Sequence, residues 1–259
     1  MSWVARVAFG FVAAALLATP VQAELLSTDL LAPGAPASGD FVLGPSAPGK
    51  WGPPVIGTGA VVTWSLMPSG IGLDSAVSVA LASFMPAGFH AELVAAFAQW
   101  SAVADITFIE VPDGGGPFAV DPVADIRIAG EFLGGAGGTL AHGFFPPLNA
   151  GTGAGDIHFD TSEFWKIGFG GPGFDIQQVM AHEIGHAIGL DHTPVPGSLL
   201  NPSYTEAFAG IQADDIAGAV HIYGPAAVGI VPEPSTFALL AFGGLGLMIY
   251  RRRQERQAA

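Results

Sequence analysis

Cysteine is absent from this chain of 259 residues, which excludes disulfide bridges and thiolate metal sites. Basic residues are scarce, since 8 Lys and Arg stand against 22 Asp and Glu, and most of the basic ones lie near the termini. Between residues 24 and 231, 3 basic residues face 20 acidic ones. So acidic a body repels phosphate backbones, which excludes nucleic acid as a partner. The charge suits bound divalent cations, although solubility alone would also account for it.

The composition also argues against a helical bundle. The chain contains 37 Gly and 21 Pro, which favour turns and loops over a helical bundle. Half of the residues are hydrophobic, but two terminal apolar segments inflate this share. The length is that of one domain of ordinary size with additional tails.

The most informative stretch reads Ala-His-Glu-Ile-Gly-His-Ala-Ile-Gly-Leu-Asp-His. On a helix, His182 and His186 project from one face, where two neutral imidazoles can hold zinc. Glu183 lies beside them in sequence and can act as the base that activates water. Gly189 predicts the end of the helix, because glycine accepts the left-handed conformation that turns the chain back. The turn would bring in His192 as a third ligand, which leaves one coordination position open for water or substrate.

This extended pattern, H-E-x-x-H-x-x-G-x-x-H, resembles the zinc signature of the metzincins. The residues that fill it are most similar to those of the matrixin branch. The resemblance implies a zinc metalloendopeptidase in which His182, His186 and His192 bind the catalytic zinc and Glu183 is the general base. It also implies an α+β fold with a twisted, mainly parallel five-stranded sheet and about three helices. The alternative is a helix with three hydrogen-bonded histidines and a capping glycine.

Other segments between residues 50 and 224 continue the resemblance, so we predict one matrixin-like domain over this range. The spacing of apolar residues predicts strands at 59–66, 106–111 and 124–128 and helices at 91–103 and 213–223. Residues 74–84 are compatible with a helix or with irregular structure. Because the chain lacks cysteine, the cysteine-based latency switch of many matrixin pro-segments is excluded.

A second informative stretch follows the predicted strands. Residues 138–145 resemble the matrixin strand at the upper rim of the cleft, which pairs with an extended peptide through backbone hydrogen bonds. Residues 155–160 are predicted to form another strand. In that strand Asp156, His158 and Asp160 would share one face.

The resemblance also implies further metal ligands. Asp160 and Glu163 match calcium ligands, and Asp125 and Asp156 match a second calcium site, because carboxylate oxygens are the donors that calcium prefers.

His142 and His158 match two of the three histidines of the matrixin structural zinc. The family's remaining ligands, a His and an Asp in a loop after the 124–126 strand, are missing here, because that loop is short and offers only Glu131. The alternative is that both histidines are polar residues on an exposed strand.

The segment after His192 resembles the methionine turn beneath the matrixin zinc, except that Leu200 stands where methionine is expected. Leucine roughly conserves the volume of methionine, so we expect a functional site with altered packing.

The amino-terminal segments are predicted to serve export. Residues 1–23 have a basic start, an apolar middle and a small-residue cleavage site, which indicate a signal peptide. A membrane anchor is the alternative, although the apolar run is short for a span. Residues 24–49 form a leader rich in Pro and Gly, and whether the leader is an inhibitory pro-segment stays open.

The carboxyl-terminal tail is predicted to be a separate module. Residues 225–231 are a linker, residues 232–253 contain Pro-Glu-Pro, an apolar run and three arginines, and residues 254–259 are a cytoplasmic tail. This arrangement resembles the PEP-CTERM sorting signal of Gram-negative bacteria, which an exosortase-like enzyme is thought to process. A glycine-rich hydrophobic helix that packs within the protein is the alternative.

Together these features predict an exported zinc endopeptidase acting on peptides or proteins, located at the cell envelope, cell surface or extracellular matrix. The tail would contact the membrane at least transiently. Two rivals are a metal-stabilised matrix component with a weak or unused site, and an acidic calcium-binding adhesion module without zinc.

Overall fold

The computed structural model describes residues 41–44, 49–73, 76–117, 124–147 and 153–226. The predicted signal peptide, most of the leader and the sorting tail lie outside these residues. By its internal contacts the chain divides into the units Met1–Ala226 and Ala227–Ala259, and only the first is described below. Within the described residues, no helix combines the length and apolarity needed to cross a bilayer.

The first unit is built on a five-stranded sheet. Its strands are β2 (Ala60–Leu66), β3 (Ile106–Glu110), β4 (Ile126–Glu131), β5 (Ala141–Gly143) and β6 (Ile157–Asp160), in the order β3-β2-β4-β6-β5. All neighbours are parallel except β5, which runs antiparallel to β6 at one edge. Every residue of β4 and β6 is buried, as expected for inner strands covered on both faces.

Among the described residues, the sheet is accompanied by three α-helices: α1 (Phe89–Ser101), α2 (Ile176–Ala187) and α3 (Ala213–Tyr223). The apolar side of α1 enters the core through Leu93, Phe97 and Trp100. The indole N–H of Trp100 donates to the carbonyl of Ala181 at 3.0 Å and so ties α1 to α2. The predicted α+β class, with a mainly parallel five-stranded sheet and three helices, is confirmed.

The element bounds differ from the sequence expectation only locally. Helix α1 begins and ends two residues earlier than expected, and α3 has the expected bounds. The predicted strand 138–145 contains only the three paired residues of β5. Within the open region 74–84, a short 3-10 helix covers Leu81–Ser83.

A pairing that the sequence does not predict joins the leader to the domain. Strand β1 (Val42–Leu43) pairs antiparallel with β9 (Leu190–Asp191), and the Gly44 N–H donates to the Gly189 carbonyl at 2.9 Å. Strands β7 (Trp165–Lys166) and β8 (Phe174–Asp175) form a further small parallel ladder, and β8 leads directly into α2.

Candidate active site

Helix α2 carries the first two predicted ligands. Its start is capped by Asp175, whose side chain accepts a hydrogen bond from the Gln178 N–H at 2.8 Å. One helical turn apart, His182 and His186 project to the same side, and their Nε2 atoms lie 3.1 Å from each other. Both side chains are buried, which places the pair inside the protein rather than on its surface.

The turn after α2 brings the third histidine to the same point. The helix ends at Ala187, and Gly189 adopts a φ of 105°, which only glycine adopts without strain. The chain then turns back and places His192 beside His182, with 3.2 Å between their Nε2 atoms. The three side chains thus offer ring nitrogens within 4.8 Å of one another, as a metal site requires.

Backbone carbonyls fix the orientation of the two helical histidines. Nδ1 of His182 lies 2.7 Å from the Leu199 carbonyl, and Nδ1 of His186 lies 2.8 Å from the Leu190 carbonyl. A carbonyl oxygen only accepts, so each Nδ1 carries the proton and each Nε2 keeps the lone pair that a metal needs. Burial lowers the pKa of His182, and it lowers the pKa of His186 more strongly, so both rings are neutral at neutral pH.

Glu183 is buried next to this cluster. Burial raises the pKa of its carboxyl well above the ordinary value, and a hydrogen bond from the Gly143 N–H partly opposes that rise. Its Oε1 atom is buried and has no hydrogen-bonding partner among the described residues. This oxygen is therefore one that a water molecule would satisfy.

The turn beneath the site contains Leu200, which is 2 % exposed. This turn is held by Asp215 of α3, whose carboxylate accepts from the N–H groups of Leu199 and Leu200 at 2.9 and 3.1 Å. The hydroxyl of Ser198 also donates to this carboxylate. Because the Leu199 carbonyl in turn accepts from His182, Asp215 acts on the ligand through a single residue.

A small cavity of ≈ 20 Å³, open to solvent, adjoins His182. Leu199, Tyr204 and Phe208 contribute to its walls. The buried amide of Gln178 secures this wall, since it donates to the Phe208 carbonyl at 3.3 Å and accepts from the Gly210 N–H at 2.8 Å. At this size the cavity accommodates about one water molecule beside the histidines.

His142 and His158 are brought together, but not on an exposed strand. Their side chains are 2 % and 0 % exposed, so the alternative of exposed polar residues is wrong. His142 Nε2 lies 2.9 Å from His158 Nδ1, and a carboxylate oxygen of Glu131 lies 2.9 Å from the same Nδ1. Burial and the neighbouring His158 lower the pKa of His142 to about 3, so its ring is neutral.

The first pair of predicted calcium ligands, Asp125 and Asp156, accepts hydrogen bonds from residues of the sheet strands. One oxygen of Asp125 accepts from both the N–H and the hydroxyl of Thr63, each at 2.8 Å. Asp156 accepts from the Arg127 N–H at 3.1 Å. Neither carboxylate belongs to a convergent group of metal-type side chains among the described residues.

The second pair lies after β6. Asp160 accepts from the Ser162 N–H at 2.8 Å, and Glu163 accepts from the Gly137 N–H at 2.6 Å. Burial raises the pKa of Glu163, and the nearby charge of Asp160 contributes to the same shift. The two carboxyls are therefore neighbours, and their role as calcium ligands stays a prediction.

Three residues that support the site carry no functional pattern in the sequence. Gly143 and Gln178 are ordinary members of a strand and a helix, and Asp215 is recognisable only as an acidic residue in the first turn of α3. Their partners are distant in the chain, so a local pattern could not have identified them.

Comparisons with known proteins agree with this geometry. The family model described as Matrixin matches residues 77–224, and the PEP-CTERM protein-sorting motif matches residues 231–254.

Curated relatives match over about half of this chain. Stromelysin-3 of Rattus norvegicus is 40% identical over 126 residues, covering 48% of this chain and 25% of that protein. Interstitial collagenase of Bos taurus is 40% identical over 133 residues, with 50% and 27% covered. Karilysin of Tannerella forsythia is 37% identical over 137 residues, with 50% and 27% covered. The matched region spans only about a quarter of each of these relatives.

Since the family model covers more than half of the chain, this protein belongs to the matrixin family, and its carboxyl terminus carries a PEP-CTERM sorting motif.

Proposed function

We propose that the protein is an exported zinc-dependent endopeptidase. The observation that carries this proposal is the convergence of His182, His186 and His192 beside the buried carboxyl of Glu183. Membership of the matrixin family supports it, because the related collagenase is named for a proteolytic activity.

The donor set fits zinc, since three neutral imidazoles leave one coordination position open. Zinc bound there would polarise the scissile carbonyl and acidify a water molecule. Glu183, whose Oε1 lacks a partner among the described residues, would take a proton from the attacking water and later give it to the leaving amine. A hydrogen bond from the Gly143 N–H would help to hold the Glu183 carboxyl in place.

The substrate is an extended peptide that lies along β5. This strand is at the edge of the sheet, where its outer backbone groups can pair with a substrate strand. We base the choice of a peptide or protein substrate on this edge and on the family.

The proposal includes export and sorting. The PEP-CTERM match at residues 231–254 supports delivery to the surface of a Gram-negative cell or its extracellular matrix. Residues 1–23 would act as the signal peptide, and an exosortase-like enzyme would process the tail after transient contact with the membrane. Calcium at Asp160 and Glu163, and at Asp125 and Asp156, is part of the same proposal as a structural ion.

The test compares the purified full-length chain with Glu183→Gln and with Glu110→Gln, which alters an exposed carboxylate on β3. Each protein is loaded with zinc, and cleavage of a mixed peptide library is measured by mass spectrometry. We expect wild type and Glu110→Gln to cleave, and Glu183→Gln to retain zinc without cleaving. A wild-type chain that binds zinc at His182 but cleaves no peptide would favour the weak or inactive matrix component instead.

A further inference from the structure

Two aromatic side chains meet the turn that joins the second predicted zinc ligand to the third. His186 lies on α2, whereas His192 lies beyond the end of the helix, so its position depends on residues 187–191. The last carbonyls of a helix have no donor within the helix and are satisfied by other groups. The groups that bind these carbonyls therefore help to fix where His192 is placed.

Trp51 and Tyr223 supply the donors for two successive carbonyls of this turn. The indole N–H of Trp51 donates to the Ala187 carbonyl at 2.7 Å, and the hydroxyl of Tyr223 donates to the Ile188 carbonyl at 3.0 Å. All four residues are buried, so water does not compete for these hydrogen bonds. Burial also raises the pKa of Tyr223, so its hydroxyl keeps the proton that it donates.

The two aromatic residues are linked to each other, although they lie 172 positions apart in the chain. The backbone N–H of Trp51 donates to the Tyr223 hydroxyl at 3.2 Å, so this oxygen accepts from Trp51 and donates to the turn. Lys50 supports both residues, because its Nζ donates to the Trp51 carbonyl at 2.7 Å and lies 4.9 Å from the centre of the Tyr223 ring. Lys50, Trp51 and Tyr223 thus form a clamp that joins the start of the domain to the end of α3.

The clamp lies directly against the turn. A Cβ added at Gly189 would collide with the Gly49 carbonyl oxygen, so the backbone just before the clamp touches the turn. The Trp51 ring also packs against Gly155, where an added Cβ would lie 2.5 Å from the ring. These contacts hold the indole in place beside the end of α2.

We infer that Trp51 and Tyr223 are positioning residues for His192, because their donors hold the turn that separates it from His186. The inference rests on the proposed function, since the two residues act through the predicted zinc ligands. Large aromatic residues often stabilise a core by burial alone. Here the polar atoms of both side chains bind carbonyls of a single turn, and loss of either donor should let His192 shift away from the other histidines.

The test uses the full-length protein and two substitutions that keep an aromatic ring but remove its donor, Trp51→Phe and Tyr223→Phe. Trp165→Phe is the matched control, since the buried indole of Trp165 donates to the Asp160 carbonyl at 2.9 Å, outside the turn. Competition with a chelator measures the zinc affinity. The visible absorption of cobalt(II), bound in place of zinc, reports the geometry of the ligands, which a loss of core stability alone would not change.

We expect Trp51→Phe and Tyr223→Phe each to bind zinc about 10-fold more weakly, as for other losses of groups that support a metal ligand, and to alter the cobalt spectrum. Trp165→Phe should be less stable in urea but should keep the wild-type zinc affinity and cobalt spectrum. Circular dichroism first establishes that each variant is folded, and Tyr223→Phe, which lacks a single oxygen atom, decides the test if Trp51→Phe does not fold. Unchanged zinc affinity in folded Tyr223→Phe would overturn the inference, and so would an equal loss of affinity in Trp165→Phe.

These measurements need no peptide cleavage, so they separate the inference from the proposed function. If both aromatic variants lose zinc affinity and wild type cleaves no peptide, the proposed function is contradicted and the inference stands. If cleavage depends on Glu183 while both aromatic variants keep the wild-type zinc affinity and cobalt spectrum, the function stands and the inference is overturned.

Discussion

The side chain of Leu200 packs directly against Gly185, which lies between His182 and His186 in the helix. A Cβ added at Gly185 would lie 2.8 Å from Leu200 Cδ2 and 3.2 Å from the ring of Trp100. The leucine therefore fills the space under the metal-binding turn of α2, where many relatives are expected to place methionine. Its branched end approaches the helix closely at Gly185, because glycine has no side chain there.

Leu200→Met should be tolerated. The two side chains have similar volumes, so we expect a loss of less than about 1.5 kcal/mol in the free energy of unfolding, with zinc content unchanged. Leu200→Ala is the matched contrast, because it leaves a cavity beneath the helix and should cost about 2–5 kcal/mol. Chemical denaturation and zinc analysis measure both effects. Equal losses in the two variants would show that this packing does not support the site.

Asp215→Asn should weaken zinc binding although residue 215 contacts no ligand directly. The substitution removes charge from a carboxylate that accepts from Leu199 and Leu200, so the Leu199 carbonyl loses its fixed position beneath His182. Loss of a group that orients a metal ligand through hydrogen bonds typically lowers the metal affinity about 10–100-fold. Competition with a chelator measures the affinity, and Asp105→Asn, at an exposed carboxylate, is the control. An unchanged zinc affinity in Asp215→Asn would show that Asp215 does not support zinc binding.

Gly189→Ala should impair the placement of His192. Both Gly189 and Gly197 have a positive φ, of 105° and 84°, so alanine is strained at either position. A Cβ at Gly189 would also lie 2.4 Å from the Gly49 carbonyl, whereas one at Gly197 would meet no atom within 4 Å. We therefore expect zinc loss in Gly189→Ala and near-normal zinc content in Gly197→Ala. Similar zinc content in both would refute the proposed role of the turn.

The pair formed by Asp113 and Arg127 should make stability depend on pH. Burial by itself raises the pKa of Asp113, but hydrogen bonds and the Arg127 charge outweigh it and lower the pKa below the ordinary value. The two groups meet at 2.7 Å with side chains only 5% and 2% exposed.

Because the folded pKa is lowered, this contribution is fully present above the unfolded pKa of about 3.9 and is lost as pH falls through the folded value. Asp113→Asn should cost about 3–5 kcal/mol at pH 7, and the difference from wild type should shrink in acid. Urea unfolding at a series of pH values measures it, with Asp105→Asn as control. A difference that stays constant down to the acid range would contradict the assignment.

Residue spacing in the sequence was sufficient to predict those features that depend only on residues close together in the chain. Helical geometry alone places His182 and His186 on one face, and the positive φ of Gly189 is a property of glycine that its position after the helix anticipates. The apolar alternation of the strands likewise anticipated four of the five sheet strands to within a few residues. These features depend on the conformation of neighbouring residues and can be derived from spacing.

The sequence by itself thus determined the family, the helix that carries His182 and His186, and the position of Glu183 beside them. Only the tertiary structure decided that Glu131 meets His142 and His158, because that contact depends on the order and register of β4, β6 and β5. It likewise decided that β1 of the leader pairs beside Gly189. Strand order is set by packing between segments distant in the chain, and no spacing within a single segment records it.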